Sequence, residues 1–239
     1  MTANYSLPRR TITAFFAACL MTMAAAPHAQ SPAEKPPAYR PLHGAWPAGE
    51  ADVVEFFSYN CTYCYQAQPA VEELLRHKAA QFTFQRYAVS SSSQPGWKLS
   101  AQAFRAAQLA GIEDRVGPQL FERMQRKGGS FADLADVQTF FAAQPMGDAA
   151  LKHLDTPEAL ALRKHIFELA KGIELDKTPT FVVGGRYVAF WGTDQTPDMF
   201  RNMILDLLKR ARAEHASACA VQLEDDVRPP GLAAGSACK

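Results

Sequence analysis

The sequence of 239 residues lacks an excess of either charge sign: 25 basic residues stand against 24 acidic ones. A nearly neutral chain has no general attraction for nucleic acid or an anionic bilayer, so its function is expected in a local site. Beyond residue 30 it has no apolar run long enough to span a bilayer, so a membrane-embedded protein is not expected. Internal repeats are absent as well. Cysteine is scarce, at five residues, and no second Cys-x-x-Cys or His-x-x-x-His accompanies the one at Cys61 and Cys64. Zinc requires four ligands, and His43, His77, His153, His165 and His215 are scattered without ligand spacing, so no metal site is expected.

What is present begins with a leader. Arg9 and Arg10 precede an apolar stretch over residues 11–26, and small residues follow it, which is the layout of a secretory signal peptide over residues 1–29. Its removal takes Cys19 away and leaves Cys61, Cys64, Cys219 and Cys238, an even count suited to an oxidising compartment. Residues 30–38 read as a Pro-rich linker, and the folded region is expected from Tyr39.

Residues 52–58 form a short apolar run rich in β-formers and interrupted only by Glu55, the pattern of a strand buried on both faces. Ala67, Val71, Leu74 and Leu75 recur at helical spacing, so a helix is expected over residues 61–77, kinked by Pro69. A second strand is expected over residues 81–89, and regular structure breaks over 90–96. Residues 99–175 are helical in pattern: Gly111 ends one helix, Ser130 with Asp133 starts another, and Thr156-Pro157 starts a third. Two β-rich runs at 180–183 and 186–189 flank Gly184-Gly185, a hairpin signal. The last helix opens at Thr196-Pro197 and buries Phe200, Met203, Ile204, Leu207 and Leu208, with Lys209, Arg210 and Arg212 expected near its C-terminal end.

A Cys-x-x-Cys at the start of a helix sets the first sulfur beside unpaired amides and the positive end of the helix dipole, which favours thiolate. Cys61 is therefore the expected nucleophile, and Cys64, one turn on, the resolving thiol. Pro179, in Lys177-Thr178-Pro179-Thr180 at the head of a strand, is placed where a cis bond is compatible with strand entry.

The segment from Glu55 to Gln66, Glu-Phe-Phe-Ser-Tyr-Asn-Cys-Thr-Tyr-Cys-Tyr-Gln, resembles the active-site segment of DsbA-type thiol-disulfide oxidoreductases. Residues 109–116 with Leu120-Phe121 resemble the helical insert of that family, and residues 178–187 its cis-proline loop and hairpin. The resemblance covers about 39–215 and implies an α/β thioredoxin fold whose N-terminal portion lies at 39–90 and whose C-terminal portion lies at 177–216, with a helical insert at 91–176 between them and a tail at 217–239. It implies an enzyme without a bound cofactor that donates the Cys61-Cys64 disulfide to reduced, unfolded secreted proteins in the periplasm and is reoxidised by a DsbB-type membrane protein. It also implies that Pro179 is cis and faces the disulfide, that Thr178 offers its backbone to an extended substrate, and that Glu55 is a buried acid able to take the Cys64 proton. Thr62 and Tyr63 would lie against the substrate.

The chain departs from the family where many oxidising members carry Cys-Pro-His-Cys. Thr62-Tyr63 provides no imidazole to stabilise the Cys61 thiolate, so a milder oxidant is expected unless one of the two hydroxyls substitutes. Thr178 before Pro179, with Tyr63 before Cys64, is also similar to disulfide isomerases of the DsbC and DsbG type. Alternatives are therefore a reductase or isomerase of the same fold, or a redox-inert peptide- or metal-binding module. Cys219 and Cys238 are expected to form a structural disulfide worth about 3 kcal/mol, the alternative being a second redox pair. Phe190 and Trp191 are candidates for a peptide groove or for packing.

Overall fold

The computed structural model describes residues 38–90, 94–127 and 129–225. All fall within one compact unit, Pro37–Lys239. The leader, most of the linker and Cys238 lie outside the described residues.

The sheet has five strands in the order β1-β5-β4-β2-β3, with β1 at Tyr39–Pro41, β2 at Val53–Phe57, β3 at Phe84–Ala88, β4 at Thr180–Val183 and β5 at Tyr187–Phe190. β2 pairs in parallel with β3 and antiparallel with β4, and every one of its residues is buried. Its alternation sends Val53 into a core with Leu74, Phe181, Phe200, Ile204 and Leu207. Val54 and Phe56 face the other side, where Ile166, Leu169 and Ile173 cover the sheet. At its C-terminal end, Phe57 passes into a third cluster with Tyr59, Cys64, Phe104, Leu120 and Phe121. Strand, crossover and sheet thus deliver the chain after Phe57 to the junction between the sheet and the helical block.

That block comprises α3 (Pro95–Leu109), α4 (Glu113–Glu122), a π-helical turn (Arg123–Lys127), α5 (Leu134–Ala142), α6 (Gly147–Leu151) and α7 (Pro157–Gly172). α8 (Pro197–Asp225) returns to pack against the sheet side. The arrangement is the expected thioredoxin fold carrying a helical insertion.

Several boundaries differ from expectation, each for a local reason. The helix expected over 61–77 is two, α1 (Thr62–Gln66) and α2 (Gln68–Gln81). Pro69 does not kink a continuous helix; it sits in the first turn of α2, where its missing amide removes no helical bond. Gln68 Nε2 caps the Cys64 carbonyl at the break, at 2.9 Å. Gln81 closes α2 rather than opening β3. α3 starts at Pro95, not after 96, because a proline is well suited to the first helical turn. Asp133, not Ser130, caps α5, accepting from Asp136 N at 2.9 Å.

At the C-terminal end, α8 runs through the boundary expected at 216/217. Lys209, Arg210 and Arg212 are consequently mid-helix. Thr156 caps α7 through Ala159 N, Gly111 follows α3 at φ 66°, and Gly184 and Gly185 turn the hairpin at φ 57° and 63°, all as the sequence pattern indicates. β1 falls where the sequence pattern indicates no strand; it pairs with the edge of β5. No helix among the described residues is long and apolar enough to cross a membrane.

Candidate active site

Both cysteines of the Cys-x-x-Cys are free thiols at the mouth of the sheet–insert junction. Cys61 caps α1 and is partly exposed, whereas Cys64 is fully buried. Their environments split them. Hydrogen bonding with the Cys64 thiol above all, then with Thr178 and the amides of Cys64 and Tyr63, holds the Cys61 thiol down to about 5 against the opposing effect of burial. Burial, reinforced by the Cys61 sulfur, pushes Cys64 far above the ordinary thiol range, although Ser58 N donates to its sulfur at 3.4 Å. At neutral pH such a pair holds one thiolate and one thiol, and the thiolate is the one with access to solvent.

Neither hydroxyl of the intervening dipeptide replaces the missing imidazole. Thr62 Oγ1 turns away to donate to Gln125 Oε1 at 3.4 Å, and Tyr63 stands 59% exposed. The depression at Cys61 instead comes from its partner thiol, Thr178 and the local amides.

Opposite the pair, the Thr178-Pro179 peptide bond is cis. In its thiol form Cys61 Sγ donates to the Thr178 carbonyl at 3.4 Å, which brings this loop to the reactive sulfur, and it is the Thr178 side chain that favours the thiolate. Thr180 Oγ1 fastens the loop by donating to the Lys177 carbonyl at 2.8 Å. The Lys177 ammonium lies 3.8 Å over the Phe190 ring, and Trp191 packs edge-on against Phe200 at 5.4 Å, so Trp191 serves the core.

Glu55 is fully buried one strand residue below Phe56. Burial pushes its carboxyl above the ordinary range, and Arg86 acts in the opposite direction. Arg86 Nε donates to Glu55 Oε2 at 2.5 Å, while Glu55 Oε1 and Arg86 Nη2 are enclosed without a partner. Arg86 also lies 4.3 Å over the Phe57 ring. Sequence reasoning missed Arg86; its signal was the parallel register that sets Glu55 directly beside it.

The insert is tied to the site by further residues that the sequence pattern does not single out. Gln125, on the π-helical turn, donates to the Tyr59 carbonyl at 2.6 Å, and Asn60 Nδ2 donates to Ser130 Oγ at 2.6 Å. Ser100 Oγ donates to Asn60 Oδ1 at 2.6 Å. The two residues preceding Cys61 are therefore anchored on three separate segments of the helical block.

Elsewhere, Cys219 lies on α8 in a disulfide, its sulfur 3.2 Å from His215 Nδ1. No group of three or more potential metal ligands occurs among the described residues.

Residues 44–206 match the family model described as thioredoxin. The thiol:disulfide interchange protein DsbA of Pseudomonas syringae pv. tomato is 28% identical over 209 residues, covering 86% of this chain and 96% of that protein. DsbA of Salmonella typhimurium is 31% identical over 149 residues, covering 59% of this chain and 69% of that protein. Among solved structures, reduced DsbA1 from Neisseria meningitidis superposes with a TM-score of 0.64 at 23% identity, over 75% of this chain and 95% of that one. DsbA from Proteus mirabilis gives 0.63 at 22% identity, over 74% and 96%. These two structures share the fold, and the sequence relatives carry the closer kinship. The chain belongs to the thioredoxin family, as a DsbA-type thiol-disulfide oxidoreductase.

Proposed function

We propose that the protein donates its Cys61-Cys64 disulfide to reduced, unfolded exported proteins in the periplasm and is returned to the oxidised form by a DsbB-type membrane protein. A substrate thiolate attacks Cys61 Sγ; the new sulfur–sulfur bond forms as the Cys61–Cys64 bond breaks, and its electron pair leaves on Cys64. Cys64 takes up a proton, and Glu55, buried on the strand that leads into the Cys-x-x-Cys, is the proposed exchange group. A second substrate thiolate then attacks the substrate sulfur of the mixed disulfide and expels Cys61 as a thiolate. The substrate loses two electrons and the protein gains them.

The supporting observation is the asymmetry of the pair. A Cys61 thiolate held near pKa 5 stabilises the reduced protein at pH 7, raising the potential by up to about 60 mV over a pair with no ionised thiol. That favours donation over reduction. The cis Pro179 contributes a surface without an amide donor beside the sulfurs, and Thr178 offers backbone groups to an extended segment. Thr62 and the exposed Tyr63 flank that approach.

A Cys64→Ser variant tests the order of the steps. Mixed with a peptide disulfide, it should accumulate a mixed disulfide that mass mapping assigns to Cys61, and Cys61→Ser should accumulate none. Equal trapping by both variants would reverse or abolish the assignment. The Cys219-Cys238 pairing belongs to the same proposal, as a structural bridge of the C-terminal segment.

A further inference from the structure

The sequence pattern leaves Phe190 open between a peptide groove and packing, and the structure gives its ring a specific neighbour. The Lys177 ammonium lies 3.8 Å from the centre of that ring. Lys177 is exposed, and Phe190 is half-buried at the end of β5. The backbone ties both sides of this contact to the active site. Phe190 stands opposite Thr180 in the β4–β5 pairing, and Thr180 Oγ1 donates to the Lys177 carbonyl at 2.8 Å. The next residue, Thr178, sets its carbonyl 3.4 Å from Cys61 Sγ and carries the cis bond to Pro179. A positive charge is thus mounted one residue from the backbone group that meets the reactive sulfur.

An exposed lysine loses much of its rotamer freedom when a partner pins it, which is one reason surface ion pairs are weak. The face of an aromatic ring attracts an ammonium and fixes it beforehand, so a carboxylate arriving at Lys177 meets a charge already in place. The ring takes one side of the ammonium, and the N–H donors on the other side point away from it. An extended segment on the Thr178 backbone sends alternate side chains to opposite sides. Only a residue close to its cysteine, and on one side of the strand, comes within reach of Lys177.

We propose that Lys177, held on Phe190, is a specificity-determining residue that favours substrate segments with a carboxylate side chain within two residues of the reacting cysteine. The inference rests on the reading that the reduced segment lies along the Thr178 backbone, and adds a charge preference to it. Lys177 acts on which segment docks and takes no part in the exchange at the sulfurs.

Oxidation of reduced peptide dithiols by the full oxidised protein at pH 7 and low ionic strength tests this. The peptides differ only in carrying Glu, Gln or Lys at one of the positions within two residues of a cysteine. A flanking charge also alters the peptide thiol itself, but equally for every protein variant, so the readout is the Glu:Gln ratio of kcat/KM compared between variants. At one position this ratio should be about threefold to fivefold higher in the unmutated protein than in Lys177→Met, the range of an exposed ion pair. Lys177→Glu should lower it further and raise the Lys:Gln ratio instead. Phe190→Leu, which keeps the charge and removes the ring, should give an intermediate ratio, and added salt should erase the difference between variants. Equal ratios in the unmutated protein and Lys177→Met would overturn the proposal while leaving disulfide donation standing, even if all rates fell by a common factor, as a purely structural lysine would give. A Lys:Gln ratio that does not rise in Lys177→Glu would overturn it as well. An unchanged ratio in Phe190→Leu would overturn the role of the ring in holding the charge. Failure of the unmutated protein to oxidise any of the peptides would overturn donation, and the proposal with it.

Discussion

The two sides of the Cys-x-x-Cys turn are built in opposite ways. Cys61 faces the cis-proline loop with amides and a neighbouring thiol around its sulfur, whereas Cys64 faces Phe57, Tyr59 and Phe104 in a closed core. The same side chain, three residues apart, is held as thiolate on one side and as thiol on the other. Redox bias therefore comes from the unequal surroundings of two identical groups, and it does so here without the imidazole that many relatives place between them. On β2, the strand that leads into the pair, a buried carboxylate is paired to Arg86; on the open side the cis-proline loop is held by the Thr180 hydroxyl on the Lys177 carbonyl.

The largest expected effect comes from unbalancing the closed side. Glu55→Gln leaves the Arg86 charge largely buried without its counter-charge, which should lower stability by about 3 kcal/mol in urea unfolding. It should also slow the proton-dependent release at Cys64, most visibly above neutral pH. Replacing both partners together, Glu55→Leu with Arg86→Met, should recover most of the stability while leaving the slow release. Recovery of the rate as well would show that Glu55 acts only structurally.

A smaller effect separates the open side by pH. Because the folded-state pKa of Cys61 is depressed, its contribution to the reduced form is fully present above the ordinary thiol value of 9.0 and is lost as pH falls to about 5. Cys64 titrates far higher and contributes nothing across that window. The stability advantage of the reduced over the oxidised protein should therefore shrink steadily from pH 9 to pH 5. Thiolate absorbance should fall with the same midpoint, near 5; a flat difference would place the depression elsewhere.

The smallest effect concerns the insert. Gln125→Ala removes the hydrogen bond to the Tyr59 carbonyl and the acceptor for Thr62, and should reduce stability by about 1 kcal/mol. It should leave the thiol pKa of Cys61 unchanged, because Gln125 does not touch either sulfur. A marked shift in that pKa would bring the insert into the redox chemistry.

Much of this arrangement is legible in the sequence where the pattern is local. The apolar run around Glu55, the cysteine spacing, Pro179 and the double glycine each specify a backbone event within a few residues, and the fold places them as expected. Arg86, Asn60 and Gln125 were not legible, because their roles depend on register and on contacts between segments 30 to 70 residues apart. The length of α8 was hidden for a different reason. Residues 212–219 are almost entirely exposed, so no apolar stripe marks them, and the helix continues on residues that favour helix without packing. β1 is short and ends in a proline at a sheet edge, which weakens every strand signal.

The most direct test of the account is the reduction potential of the Cys61-Cys64 pair, measured in glutathione buffers with thiol trapping that follows Cys219 separately. The asymmetry of the two thiols predicts a disulfide-donor potential of about −120 to −180 mV, on the mild side of strongly oxidising relatives because no imidazole assists Cys61. A value near about −270 mV, that of thioredoxin, would contradict it and make the protein a reductase.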